Sequence, residues 1–237
     1  MTALQSTGLF RTAFREMMKG VCTSVPGHVL TFDPDQQRAQ VRIGVQTVTA
    51  GGAVIQPPPI IDAPVLFAGG TQFATIHQID PGDEGLILFS QRCVDAWKQT
   101  GGVAQNPLAR FHDTHDAFFI PGFRPLPTRI SGFANDGIRM QSRDGSRHVW
   151  IKSSGEIVAD NGVAHVQITP AGAVNIENGA GHIRLQADGK VVINGACVIN
   201  TDGTIEAPNI TYAGISAKDH KHGGVEPGGG STGGPTN

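Results

Sequence analysis

The sequence predicts an all-β protein: an OB-like barrel near the amino terminus, then an intertwined homotrimeric β-helix or β-prism with a metal-clamped tip. Three observations support this prediction. Glycine accounts for 32 of the 237 residues and charged residues for 16%, a composition that favours short strands and turns over a helical bundle. Apolar and polar residues alternate along much of the chain, which is the period of a half-buried strand. A 17-residue pattern recurs in the second half, as is typical of a repeat architecture.

Composition also limits the class of function. A net charge of -2 provides no basic surface for a nucleic-acid backbone, so we expect no nucleic-acid partner. The three cysteines, Cys22, Cys93 and Cys197, are odd in number and far apart, which excludes a disulfide framework or a zinc knuckle. The start of the chain has no apolar stretch of the signal-peptide kind, and no run approaches the roughly eighteen apolar residues of a membrane span. We therefore expect a soluble protein made in a reducing compartment.

The first zone, residues 1–22, is predicted to be an arm with a short helix. Phe10, Phe14, Met17 and Met18 recur at helical spacing, and Gly20 would end the helix. We expect this arm to pack on its own domain or on a neighbouring copy, with a membrane-surface helix as the alternative.

Residues 23–121 are predicted to form the OB-like barrel, and residues 122–137 a proline-rich linker. Two strands surround the turn at Asp33, and further strands are expected at 64–67, 73–79 and 85–89. Five short strands in about a hundred residues suit a small barrel of the OB type. The zone lacks the basic and aromatic surface of an oligonucleotide-binding barrel, so we interpret it as structural.

One loop in this zone raises the alternative of an enzyme. It contains His112, Asp113, His115 and Asp116, but not the HExxH spacing or the general-base glutamate of a metalloprotease. We expect a solvated loop that closes the barrel, and we predict no catalytic residues and no enzyme activity.

Residues 138–212 are predicted to form a shaft of β repeats. His148, His165 and His182 lie 17 residues apart, and each begins a unit of strand, glycine turn, strand and second turn. One such hairpin is marginal in water, so its apolar faces need cover, and three chains wound about a common axis would provide it. This argument predicts a homotrimer. The three histidines are expected to hydrogen-bond the backbone, with no carboxylate recurring beside them, and a metal-ligand role is the alternative.

Residues 213–237 are predicted to form a glycine-rich tip that cannot order itself alone. Its distinctive feature is the pair His220 and His222, which would face the same way in an extended strand. On a threefold axis, two histidines from each chain would place six nitrogens around one point. Such a set suits one octahedral divalent metal per trimer, such as iron, better than zinc.

The chain resembles the central, membrane-piercing baseplate spike of contractile-tailed bacteriophages. The resemblance covers nearly the whole chain and is carried by four stretches: PGHVLTFDPDQQRAQVR, IDPGDEGLILFSQRCVDAWKQTGG, HDAFFIPG and HKHGGVEPGGGSTGGP. It implies a virion protein at the centre of the baseplate, under the tail tube, that is driven through the bacterial outer membrane when the sheath contracts. It also implies hub or tube partners for the N-terminal domain and an iron ion held by His220 and His222. Some relatives carry a lysozyme domain, for which residues 121–137 leave no room.

A receptor-binding or carbohydrate-binding β-helical tail protein is the alternative function. Such modules favour exposed aromatic side chains, whereas residues 138–237 contain only Trp150 and Tyr212. The sequence therefore favours a force-bearing structural trimer without catalysis.

Overall fold

A computed structural model describes residues 3–49, 51–105, 108–221, 224 and 228. Strands account for 35% of the chain and helices for 11%, which confirms the all-β prediction. The chain divides into two compact units, Met1–Arg129 and Ile130–Asn237.

The first unit is a curled antiparallel sheet with short helices around it. Its elements in chain order are α1 (Ala3–Lys19), β1 (Ser24–Asp33), β2 (Arg38–Ile43), β3 (Thr47–Val48), β4 (Val54–Ile55), β5 (Ile60–Pro64), β6 (Glu84–Phe89), α2 (Asp95–Thr100) and β7 (Ala117–Pro121). Short 3₁₀ turns cover Thr114–Asp116 and Leu126–Thr128.

Five of these strands form one sheet in the order β5-β2-β1-β6-β7. The two outer strands also approach each other: Val65, just after β5, forms a parallel bridge with Phe119 of β7. The Leu66 N–H donates to the Phe119 carbonyl at 2.9 Å. This pairing order with its closing contact is that of a five-stranded, partly open OB barrel, as the sequence predicts.

The inward side chains of the barrel form a complete core. Val29, Val41, Ile87 and Phe119 are at most 1% exposed, and they alternate with more exposed neighbours along their strands. Gly85 of β6 lies so close to the Phe119 ring that an added Cβ would overlap it. A glycine is therefore required there, because the ring fills the space where a side chain would begin.

The predicted third and fourth strands are wrong. In place of the strand predicted at 64–67, β5 runs over Ile60–Pro64, and the Val65 N–H beyond it donates to the Gln37 carbonyl. The segment 73–79 is not a strand; it is held by a bridge between Gly69 and Ala74 and by hydrogen bonds from the Gly70 N–H to the Phe73 carbonyl and from the Thr75 N–H to the Ala68 carbonyl. Its Phe73 and Ile76 side chains are exposed, and only Ile79 at its end reaches the core.

Helix α1 extends from Ala3 to Lys19, and the Gly20 N–H donates to the Met17 carbonyl at its end. Its apolar side chains are exposed, with Phe10 at 80% and Phe14 at 59%. Among the described residues, α1 therefore does not pack on its own domain as expected. Packing on a neighbouring copy stays a prediction. None of the helices in the described part of the chain is long and apolar enough to cross a membrane.

The second unit is built on a nine-stranded antiparallel sheet in which each strand pairs with the next along the chain. The strands are β8 (Ile138–Gln141), β9 (His148–Ile151), β10 (Ile157–Asp160), β11 (His165–Ile168), β12 (Val174–Glu177), β13 (His182–Leu185), β14 (Val191–Ile193), β15 (Cys197–Ile199) and β16 (Ile205–Glu206). The predicted units of strand, glycine turn and strand are present. Gly155, Gly172 and Gly189 occupy equivalent turns with φ of 87°, 87° and 91°, a backbone region that favours glycine.

A two-stranded hairpin follows, formed by β17 (Thr211–Tyr212) and β18 (Ile215–Ser216). It spans the predicted boundary between the shaft and the tip at residue 213. The hairpin turns at Ala213 and Gly214, both with positive φ.

Candidate functional site

The nine-stranded sheet has one face that consists of apolar residues. The register shows this directly: Val166 of β11 lies opposite Ile176 of β12, which in turn lies opposite Ile183 of β13. Because side chains alternate between the two faces of a strand, the same register defines the whole face. This apolar face comprises Ile138, Met140, Val149, Ile151, Ile157, Ala159, Val166, Ile168, Val174, Ile176, Ile183, Leu185, Val191, Ile193, Cys197, Ile199 and Ile205.

Within the second unit, none of the described residues covers the apolar face. Ile176 is 47% exposed and Ile183 is 46% exposed, although both lie in the middle of the sheet. Among the described residues of this unit, Ala173 is the only buried hydrophobic residue. Soluble monomers rarely expose a continuous apolar surface of this extent. The apolar face is therefore an interaction surface.

The opposite, polar face carries hydrogen bonds between side chains of neighbouring strands, although Arg139 Nε, Gln141 Nε2 and His148 Nδ1 are buried there without a partner among the described residues. Glu156 accepts from Lys152 Nζ at 2.6 Å and from Gln167 Nε2 at 2.5 Å, and Asn175 Nδ2 donates to Gln167 Oε1 at 2.8 Å. The bond from Lys152, followed by that from Gln167, lowers the pKa of Glu156 below its usual value. A face built in this way suits contact with water.

Trp150 lies on the polar face, but its side chain is held by contacts with neighbouring residues. Its indole N–H donates to the Asp136 carbonyl at 2.6 Å, and the Arg139 guanidinium and Lys152 ammonium lie 4.7 and 4.8 Å from the ring centroid. The side-chain O–H and the backbone N–H of Ser153 also donate to the Asp136 carboxylate, and these hydrogen bonds lower the pKa of Asp136. Trp150 thus ties the start of the shaft to β9, and it does not form an open platform for a sugar.

The three repeat histidines form part of a mixed row on the polar face. His148 lies opposite Asp160, and Asp160 lies opposite His165. His165 lies opposite Glu177, with 3.0 Å between His165 Nε2 and Glu177 Oε1. The expectation that no carboxylate recurs beside these histidines is wrong. The carboxylates are distant in sequence, and the antiparallel register brings them alongside.

At the tip, the structure describes His220 but not its predicted partner, since His222 lies outside the described residues. His220 Nδ1 lies 3.1 Å from the carbonyl oxygens of both Ser216 and Ala217. Both neighbours are acceptors, so Nδ1 is the donor in these contacts. Metal-binding imidazoles are commonly held by such a backbone hydrogen bond at the ring nitrogen that does not bind the metal. The described half of the predicted pair is therefore placed as a metal-ligand histidine would be.

The loop with two histidines and two aspartates in the barrel is not the solvated loop that was expected. Asp116 is fully buried, and Arg110 binds it through Nη2 at 2.8 Å and Nε at 3.0 Å. The Val94 N–H adds a bond at 3.0 Å. Burial by itself raises the pKa of Asp116, but the Arg110 and Val94 hydrogen bonds outweigh it and leave the pKa lowered.

The two histidines of this loop have separate partners. His112 Nδ1 lies 3.0 Å from the Cys22 carbonyl, whereas His115 Nδ1 lies 2.6 Å from Asp113 Oδ1. The hydrogen bonds from the His115 N–H and side chain lower the pKa of Asp113. The structure thus does not join the four residues into one site, and it uses Asp116 to anchor the barrel. The signal in the sequence is Arg110, a cation six residues before the buried carboxylate.

Two family models match the chain, one in each unit. The model of the phage protein Gp138 N-terminal domain matches residues 25–122, which span the barrel. The GpV apex motif matches residues 214–236, which include His220 and His222. A search of curated proteins finds no match. Both matched families are features of the baseplate spike of phages.

Proposed function

We propose that this chain, which belongs to the phage baseplate spike proteins and is therefore a virion component, acts as a homotrimeric needle. In this proposal the needle punctures the bacterial outer membrane when the tail sheath contracts. The single observation that carries the proposal is the exposed apolar face of the shaft, because a needle of three chains buries it and a lone chain does not.

The register of the sheet supports a coaxial trimer. Nine strands pair in sequence order, so the apolar face is a continuous strip along the shaft. Three such strips facing one axis would form a closed apolar interior with the polar faces outside. Closed cyclic symmetry is common among homo-oligomers. Such a rod resists axial force, because bending or breaking it separates many backbone hydrogen bonds and much buried apolar surface together.

The barrel is proposed to hold the needle in the baseplate through contacts with hub or tail tube proteins. Two observations support this assignment. The barrel has its own complete core, so it needs no partner to fold and its surface remains available. The match to the Gp138 N-terminal domain covers this unit and not the shaft.

The tip is proposed to hold one iron ion per trimer, with His220 and His222 of each chain as ligands. The match to the GpV apex motif and the backbone contacts of His220 Nδ1 support this assignment. Bound there, the ion would join three chain ends, which are otherwise the parts of a protein that fray most readily.

The proposed function is mechanical and includes no catalysis. The matched families are structural phage proteins. The histidines of the barrel loop have separate partners, and Arg110 neutralises the buried Asp116.

Light scattering combined with small-angle X-ray scattering tests the trimer. The proposal predicts three times the mass of one chain and an elongated particle. A compact monomer at micromolar concentration would exclude the needle.

Elemental analysis tests the tip, and phage particles test the puncturing role. The proposal predicts one iron per three chains, which is lost when His220→Ala and His222→Ala are combined. Phage that carry this double variant should contract their sheaths normally but infect less efficiently than wild-type phage. Full infectivity would contradict a role for the tip in penetration.

A further inference from the structure

A second group of metal-ligand side chains lies on the polar face of the shaft, away from the tip. His165, Glu177 and His182 are consecutive cross-strand neighbours on β11, β12 and β13. They line one hollow of about 260 Å³ on this face. All three belong to a single chain, so the group does not depend on the proposed trimer.

Histidine recurs at the first position of each repeat, whereas the neighbouring positions on the polar face vary. The position twelve residues after the histidine is Asp160, then Glu177, and in the third unit Asn194. The outward position next to each histidine differs in every unit, as Trp150, Gln167 and Arg184. A solvated face does not need the same imidazole in each repeat, so this difference points to a shared ligand chemistry.

The geometry of the central pair suits a shared cation. His165 Nε2 and Glu177 Oε1 are in direct contact at 3.0 Å, and two ligands of a tetrahedral metal at bonds of about 2.0–2.2 Å are separated by about 3.4 Å, so a small outward shift of the two side chains would admit an ion. Both side chains are partly exposed, at 33% and 47%. His182 is exposed on the next strand. Facing residues on paired strands have Cβ atoms about 5 Å apart, so the proposed site requires a change of rotamer at His182 to bring its imidazole to the same ion.

We propose that His165, Glu177 and His182 form a binding site for a divalent transition metal of the zinc class. Two imidazoles and a carboxylate are a common ligand set for such ions, with water in the remaining position. The bound ion would link three successive strands on the polar face, where the chain has no packed core. Arg184 also lines the hollow, and its positive charge weakens binding without preventing it.

The cluster in the barrel is a weaker candidate for a metal. Ligand atoms of Cys93, Asp95 and Asp116 already lie within 4.8 Å of one another. However, Arg110 Nη2 is 2.8 Å from both carboxylates and 3.2 Å from the Cys93 sulfur. A guanidinium therefore occupies the place that a cation would take.

Calorimetric titration of the full chain with ZnCl₂ tests the proposal. The parent protein carries His220→Ala and His222→Ala, so that the tip does not contribute, and is first treated with a chelator. We expect saturable binding of one Zn²⁺ per chain at pH 7.5. Adding His165→Ala or Glu177→Gln should weaken binding at least tenfold. The matched control is His115→Ala, which removes an exposed histidine beside Asp113 in the barrel and should leave the affinity unchanged.

Two further readouts separate metal binding from a change in folding. Zn²⁺ should raise the Tm of the parent but not that of His165→Ala, and circular dichroism should be the same for both without metal. Arg184→Gln should tighten binding, because it removes a positive charge from the hollow. The absence of saturable binding, equal affinity in His165→Ala, or loss of binding in His115→Ala alone would overturn the proposal. None of these results depends on the state of the tip or on the puncturing role.

Discussion

The barrel and the shaft solve the same problem, the burial of apolar strands, in opposite ways. The barrel closes its sheet on itself, so that Phe119 and Ile87 are completely buried within one chain. The sheet of the shaft stays open, and residues of its apolar face, such as Ile176 and Ile183, remain almost half exposed. Burial of apolar surface is the main stabilising contribution to folding. The barrel therefore has a core of its own, whereas the proposed trimer would supply the burial that the shaft lacks in a single chain.

The largest expected effect comes from placing a charge on the apolar face. Ile176→Asp should abolish the trimer at micromolar concentration, because three carboxylates would be buried without partners. Analytical ultracentrifugation measures the loss. The control is Asn175→Asp, one residue away on the polar face, which should leave the mass unchanged. A trimer that tolerates Ile176→Asp would show that another surface holds the chains together.

The second-largest expected effect comes from opening a cavity in the core of the barrel. Phe119→Ala should destabilise the barrel by about 3–5 kcal/mol, the usual cost for a buried aromatic residue. The control is Phe118→Ala, whose side chain is only partly buried and packs edge-on against Trp97. Denaturant unfolding of the full chain should show the larger shift for Phe119. Similar shifts for both variants would contradict the observed closure of the barrel around Phe119.

The buried ion pair gives the barrel a pH dependence of its own. The folded-state pKa of Asp116 is lowered, so its stabilising contribution is present above the unfolded value of about 3.9 and is lost as the pH falls through the folded value. Barrel stability should decline below about pH 4. Asp116→Asn should cost about 2 kcal/mol at neutral pH, since Arg110 keeps Asp95 as a partner.

Thermal unfolding at pH 3 and pH 7 compares the wild type with this variant. The variant should lose less stability between the two values. If it loses as much as the wild type, another carboxylate is responsible for the acid sensitivity.

The smallest expected effect is at the shaft turns. Gly172 has a φ of 87°, and a Cβ there would meet no atom within 4 Å. Gly172→Ala therefore tests backbone strain alone and should cost about 1 kcal/mol per chain. Ala171→Ser, at an exposed neighbouring position, should be neutral in the same thermal melts. A neutral Gly172→Ala would mean that the turn is not fixed in this conformation.

The shaft was the more predictable unit, because its pattern is local. The 17-residue spacing of Gly155, Gly172 and Gly189 indicates where each turn lies, and alternation indicates the apolar face. In the barrel, the third strand was misplaced by a few residues, and the fourth was predicted on a segment whose Phe73 and Ile76 side chains are exposed.

The candidate sites also differ in whether a local sequence pattern or the pairing of distant residues defines them. The pair His220 and His222 is readable from the sequence because its two residues are adjacent in the pattern. The row of His165, Glu177 and His182 depends on antiparallel register, which joins residues twelve and five positions apart. The burial of Asp116 depends on Arg110 and Val94 from separate segments, which no local pattern reveals.

The mass of the full chain in solution tests the central claim most directly. Sedimentation equilibrium at micromolar concentration should give three times the mass of one chain, and sedimentation velocity should give the high frictional ratio of an elongated particle. A monomeric mass, with the apolar face still exposed to water, would contradict the account.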